Sequence, residues 1–437
     1  MRTGPRMSSP SREPLGQPAT TSNSHVQWIP WVGLAFVATI SIAPFFFDPH
    51  PAKLAAAQES AIAWLTKGAV FCVFALIIGL RAWLDRRTEG RPLLLNSVFC
   101  LIAVGLTAYH YWDVDRGWFE EKENGKPVRY YNVNWQRALY GAVLNHRPES
   151  HGESWIPHIY RPLPYGFTRS LELWTGDWLF ACLAYRCIFT YWFIWGFYRF
   201  VRRYHAPKIA LVGIAIYALL YPLSIQFYMG QLTDPMSHAL LAVALLALVE
   251  NRWLFLAASL ALGITAKETA VVLVPAYFAC WWRQGLPAYA RKAVLGCLAS
   301  AAYLAVRVPF GWSGDSESIN GSKLMIAQNL GLGDASFGST APLYQNYVQP
   351  LVFVGVFLPL VWKNWKGIDS SLKAVFLTLV PLVLLSSIAF SWLYESRNYV
   401  PLLPILVAMS QRPAAVSKPK QSPSEPPRAK ARNKRKS

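Results

Sequence analysis

Residues 374–394 read AVFLTLVPLVLLSSIAFSWLY, 21 residues without one charged side chain. At 1.5 Å per residue a helix of that length covers about 30 Å, the thickness of a bilayer's hydrocarbon core. A helix is also one of the few backbone forms that satisfies its own polar groups there. The stretch therefore predicts a membrane span. Trp28 to Phe47, and Ala61 to Leu84 with only Lys67 and Arg81 charged, are further apolar runs of about this length. Working outward, the whole chain of 437 residues is 54% hydrophobic and 14% aromatic, with 15% charged residues, where soluble domains carry about 25%. Spans are expected near 28–47, 61–84, 93–112, 178–198, 209–228, 236–250, 253–266, 270–282, 293–310, 347–362, 374–394 and 399–410. The expected fold is an all-α, polytopic transmembrane helical bundle of about twelve spans, with one long, partly helical extracytoplasmic loop.

A net charge of +19 suggests nucleic acid only until its placement is seen. The basic residues lie mostly between apolar runs and in the tails: Arg81 at the end of the second run with Arg86, Arg87 and Arg91 after it, and Arg199, Arg202, Arg203 and Lys208 after the fourth. Counted on alternate sides of the spans, 27 Lys and Arg fall on the N-terminal side and 12 on the other, eight of those 12 in the long loop. This is the positive-inside pattern, and it puts both termini in the cytoplasm of a multi-pass protein of the plasma (inner) membrane. The partner it implies is the lipid bilayer, not nucleic acid. Residues 1–25 and 411–437 are polar tails expected to be disordered. The basic run Lys430 to Lys436 is suited to resting on anionic lipid. Residues 26–410 form the transmembrane domain, including the loop 113–177. The run from Trp28 reads as a retained span, being longer than a signal's apolar core. The six cysteines lie in or beside apolar runs with no C-x-x-C pair, so neither a disulfide framework nor a zinc site is expected.

Trp253 to Trp282 is too long for one span and short for two. One helix would bury Lys267 and Glu268 in mid-membrane and set Arg252 on the opposite side from Arg283, Arg291 and Lys292. Two short spans meeting at Lys267-Glu268 put all these basic flanks in the cytoplasm, and this is the expected arrangement.

The loop from Asp113 to Asp177 is not a plain linker, since 15 of the 70 residues from Tyr109 to Trp178 are aromatic. Trp135, Ala138, Leu139, Ala142 and Val143 recur at helical spacing and predict an amphipathic surface helix over 132–144. Its aromatics suit an interfacial belt or the faces of sugars. At its head stand Asp113 and Asp115, carboxylates able to take a proton from a hydroxyl or simply to solvate a loop start. On the same side lie Asp234 before Pro235, Lys267-Glu268, and Glu395 with Arg397. Asp234 fits a helix N-cap, and Lys267 fits a snorkelling lysine paired with Glu268. Three tight turns with ionisable groups at one membrane face exceed what topology requires.

Taken in order, Tyr111-Trp-Asp-Val-Asp115, Tyr160-Arg-Pro-Leu163, Gln231 to Pro235, Gly263 to Thr269 and Glu395 to Pro404 resemble the polyprenyl-phosphate-sugar-dependent glycosyltransferases of the C superfamily. The resemblance covers about Leu93 to Val407. It implies transfer of a sugar from a lipid-phosphate carrier to an acceptor at the extracytoplasmic face. Asp113 or Asp115 would be the catalytic base, Lys267 and Arg397, with Arg161, would bind the carrier phosphate, and Asp234, Glu268 and Glu395 would orient them or the acceptor. The chain departs from the pattern in having two spans before the catalytic loop where the family usually has one, which brings in Asp48 as a competing carboxylate. No cofactor is fixed by the resemblance: a divalent cation is compatible with it, but no cluster of His, Cys and carboxylates defines a metal site. The alternative is a transporter or flippase for a lipid-linked or anionic solute. It predicts paired repeats with helices broken near mid-membrane, and no convincing repeat is seen.

Overall fold

The computed structural model describes residues 35, 37–39, 91–112, 121–123, 126–128, 160–225, 232–282, 286–308, 326–330, 343–391, 393 and 395–411. The expected spans at 28–47 and 61–84, the surface helix at 132–144 and both tails lie outside them, apart from those four residues of the first span and Gln411. The helices are α1 (Pro92–Trp112), α2 (Pro162–Thr175), α3 (Trp178–Arg202), α4 (Pro207–Ile225), α5 (Thr233–Val249), α6 (Trp253–Ala266), α7 (Leu273–Cys280) and α8 (Leu286–Arg307), then α9 (Ile326–Asn329), α10 (Leu343–Phe353), α11 (Leu358–Asn364), α12 (Ser370–Phe390) and α13 (Leu403–Ser410). Short 3-10 turns cover Glu268–Val272, Ser396–Asn398 and Val400–Leu402.

Among the described residues, five helical segments are long and apolar enough to cross a membrane: Pro92–His110, Trp178–Arg202, Pro207–Ile225, Tyr347–Gly367 and Ser370–Phe390. Their outward faces carry exposed apolar side chains such as Leu101, Leu219 and Leu377, the surface a helix presents to lipid. The protein is thus helical with a membrane-compatible exterior. The exception to the all-α expectation is a hairpin inside the long loop, in which β1 (Glu121–Glu123) pairs antiparallel with β2 (Lys126–Val128). Its signal is Asn124-Gly125, a two-residue sequence strongly favoured between hairpin strands.

Helix α3 is the centre of the core. Helices α1, α2, α4, α5 and α13 all pack on it, and Tyr185, Tyr191, Phe193, Phe197 and Tyr198 along it are fully buried. Close approach of α3 and α5 depends on Gly196, where a Cβ would stand 3.0 Å from the Ala242 Cβ. Small residues let helices meet in this way where lipid supplies no hydrophobic drive.

The segment 253–282 is broken where the sequence placed the break. Helix α6 ends at Ala266, Lys267 is extended with φ −163° and ψ 125°, and the 3-10 turn follows. The chain then doubles back: the Tyr277 hydroxyl donates to Asn251 Oδ1 at 3.3 Å and Trp281 Nε1 to the Leu248 carbonyl at 3.0 Å. Both partners lie at the end of α5 where α6 begins, so Lys267 occupies the far tip of a helical hairpin. Asn251 makes the α5–α6 corner with φ of 55°, a left-handed conformation in which Asn is enriched. With 14 residues, α6 rises only about 21 Å, less than the roughly 30 Å of a bilayer core.

Candidate functional site

The N-terminus of α5, the tip after α6, the entry to α2 and the 3-10 turn before α13 meet at one end of the bundle. Proline sets two of these starts: Pro162 begins α2 right after Arg161, and Pro235 lies in the first turn of α5 right after Asp234. A proline in a helix's first turn gives up an N–H that has no intrahelical partner.

The ionic side chains there form a chain of contacts. Asp234 Oδ1 accepts from Lys267 Nζ at 3.0 Å and its Oδ2 from Arg397 Nη1 at 3.3 Å. Arg397 Nη2 donates to Glu395 Oε2 at 2.9 Å. Lys267 also donates to Asn398 Oδ1 at 3.1 Å, and Asn398 Nδ2 donates to Ser391 Oγ at 2.9 Å. Alongside, Arg161 grips Glu268 with two donors, Nε to Oε2 at 2.9 Å and Nη2 to Oε1 at 2.5 Å. All six charged residues are buried except Glu268, whose side chain is 30% exposed. The network is therefore least enclosed at its Arg161–Glu268 end.

Electrostatics follow this geometry. Burial pushes the Glu268 carboxyl up, but the Arg161 guanidinium more than offsets it and holds the group at about 2. Burial pushes the Lys267 ammonium down, Asp234 opposes that, and Arg397 and Arg161 add to the fall, leaving it below the usual lysine range. The cations are thus concentrated enough to weigh on one another, an arrangement suited to an anionic ligand.

Two expectations are corrected. Asp234 is not a helix cap: α5 is capped at Leu232 without a side-chain bond, and the carboxylate is taken by two cations. Lys267 does not pair with Glu268. The extended conformation at Lys267 sends it to Asp234, while Glu268, the next residue, turns to Arg161.

Behind the network lies a cavity of about 30 Å³, lined on its charged side by His110, Arg186, Asp234, His238 and Arg397. It has room for a water and not for a sugar. His110, Arg186 and His238 were not singled out as site residues in the sequence, although ionisable side chains inside apolar helices are themselves the signal. Asp234 and His238 are also four residues apart on α5, one above the other on the same face.

Of the eight expected site residues, the structure brings together Arg161, Asp234, Lys267, Glu268, Glu395 and Arg397. Asp113 and Asp115 lie outside the described residues, as does Asp48. The loop nonetheless leaves and rejoins the bundle at the network's end, since His110 lines the cavity beside Asp234 and Arg161 contacts Glu268. Among the described residues no group of His, Cys, Asp and Glu is arranged to hold a metal. No family model matches the chain, and no curated protein or solved structure matches it either.

Proposed function

We propose that this chain is an integral membrane glycosyltransferase of the C-superfamily type, moving a hexosyl or pentosyl unit from a polyprenyl-phosphate carrier to an acceptor at the extracytoplasmic face. The reading includes about twelve spans, cytoplasmic termini and residence in the plasma membrane, serving the cell envelope. One observation carries it. Four segments far apart in sequence, each a piece of the motif order that resembles this superfamily, deliver three cations and three carboxylates to one end of an apolar bundle.

The chemistry follows from charge. As the sugar leaves, negative charge develops on the phosphate, and preorganised cations stabilise that change. Lys267 has three donors, of which Asp234 and Asn398 take two, so the third is available to a phosphate oxygen. Arg161 stands at the least enclosed end, and Arg397 is held in place from both sides by Asp234 and Glu395. The loop carboxylate Asp113 or Asp115 takes the acceptor's proton.

The test is transfer of labelled sugar from a polyprenyl-phosphate donor in proteoliposomes. Asp113→Asn with Asp115→Asn should lower turnover by about 10² to 10⁴, and Lys267→Ala by about 10² to 10³ with weaker carrier binding. Undiminished transfer by the double aspartate variant would remove those carboxylates, and no transfer by the native chain from any such donor would favour the transporter.

A further inference from the structure

The expected span at 293–310 contains a single charge, Arg307, which is the last residue of α8. Its guanidinium carbon lies 3.5 Å from the centre of the Tyr303 ring and 4.6 Å from that of Tyr160. Tyr303 is one turn earlier on α8. Tyr160 is remote in sequence and immediately precedes Arg161, the residue that grips Glu268. Arg307 is therefore held beside the least enclosed end of the ion network.

The helix packing gives the same placement independently. Helix α8 packs on α6, and the Arg291 guanidinium lies 5.9 Å from the ring of Trp253, the first residue of α6. Counting on from that contact, α6 rises about 21 Å to Lys267 and α8 about 24 Å to Arg307. The two cations stand at nearly the same level of the bundle.

Within the network three carboxylates face three cations. Among the described residues Arg307 has no carboxylate partner and no side-chain hydrogen bond. Ring contacts occupy the flat faces of a guanidinium and leave its N–H edge for an acceptor, a fork that matches the oxygens of a phosphate. The side chain is half-buried, so that edge is within reach of a ligand. An arginine that only anchors a span extends away from the protein toward water, whereas the Tyr160 contact keeps this one against the site.

The surface next to it is apolar. Tyr303, Leu304 and Val308 at this end of α8 are 36%, 39% and 64% exposed, a face suited to hydrocarbon chains. A ligand that satisfies both the cation and this face carries a phosphate and a long apolar chain.

We propose that Arg307 binds the phosphate of a membrane lipid at the entrance to the ion network, with the lipid's chain lying along the outward face of α8. On the transferase reading, on which this last step rests, that lipid is the sugar carrier, and Arg307 is the outer contact its phosphate makes on the way to Lys267.

The experiment is lipid binding to the full chain in detergent micelles, read by native mass spectrometry, with three probes: a sugar-free polyprenyl phosphate, phosphatidylglycerol and inorganic phosphate. Arg307→Gln should weaken binding of polyprenyl phosphate about 10- to 100-fold, the size of one lost charge-assisted fork. Arg307→Lys, which keeps the charge and loses the fork, should weaken it less, and it carries the test if the glutamine variant does not fold. Arg291→Gln, at the other end of α8, should leave binding unchanged. Native-like binding by both Arg307 variants overturns the proposal, as does the absence of saturable binding of either lipid by the native chain. Displacement of the lipid by inorganic phosphate at equal concentration also overturns it, because the apolar face would then contribute nothing. Phosphatidylglycerol binding as tightly as polyprenyl phosphate, with the same loss in Arg307→Gln, upholds the lipid-phosphate site and counts against the carrier. No transfer is needed for any of these readouts, so failure of the transferase reading shows separately, as absent sugar transfer by a chain that still binds lipid through Arg307.

Discussion

Replacing Asp234 by Asn keeps the side chain's size and removes the charge that joins Lys267 to Arg397. In the native chain one carboxylate serves both cations, at 3.0 and 3.3 Å, and all three groups are buried. After the change Lys267 keeps only Asn398, and Arg397 keeps Glu395 at 2.9 Å. Breaking a buried ion pair costs about 3–5 kcal/mol, because the stranded charge stays desolvated. Glu395 still neutralises Arg397, so the expected loss is near the lower end, about 3 kcal/mol. Asp234→Asn combined with Lys267→Met removes the stranded cation too and should recover part of that loss. The assay is equilibrium unfolding in mixed micelles of the native chain, both single variants and the double variant. A coupling energy of about 1–3 kcal/mol is expected for groups in direct contact. If the two losses simply add, within about 0.5 kcal/mol, the contact contributes nothing and the reasoning from geometry is refuted.

Three further outcomes follow from other parts of the molecule. Because Arg161 holds the Glu268 carboxyl at about 2 against its ordinary 4.5, the pair's contribution to stability is full above about pH 4.5 and is lost as pH falls toward 2. Melting temperatures measured over that window should drop in the native chain more than in Glu268→Gln, and parallel curves would count against the pair. Gly196→Leu forces a branched side chain into a gap where a Cβ alone meets Ala242 at 3.0 Å; it should lower stability by about 1–3 kcal/mol or more, while Gly105→Leu, whose Cβ meets nothing within 4 Å, should have little effect. Single cysteines at Arg147 and Arg397 on a Cys-free background should both react only from the extracytoplasmic side, and labelling from opposite sides would overturn the shared face.

Much of this arrangement was legible in the sequence, for physical reasons that differ from element to element. The helical membrane-compatible body follows from uncharged runs such as 374–394, although the helix there runs Ser370–Phe390 and starts four residues early: Asp369 caps it by accepting from the Ser371 N–H at 2.8 Å. The break at Lys267 was legible because basic flanks constrain both sides of the hairpin. Which cation meets which acid was not, since a pairing between neighbours in sequence was expected and backbone direction decided otherwise. Helix α2 was hidden inside a segment read as loop, although Pro162 and the left-handed Gly176 (φ 68°) mark its two ends. Arg186 is a lone charge within the span at 178–198. Its place beside Asp234 and His238 comes from the packing of α3 on α5, which no local pattern encodes.

The central claim is that this ion network receives the phosphate of a lipid carrier. Its most direct test is a structure of the full chain in lipid nanodiscs with a polyprenyl-phosphate bound. The account predicts the phosphate entering from the Arg161–Glu268 end, one oxygen within hydrogen-bonding distance of Lys267 Nζ and Arg397 still braced by Glu395. A phosphate bound at the opposite end of the bundle, near Asn251 and Trp281, with the Asp234 contacts undisturbed, would contradict it.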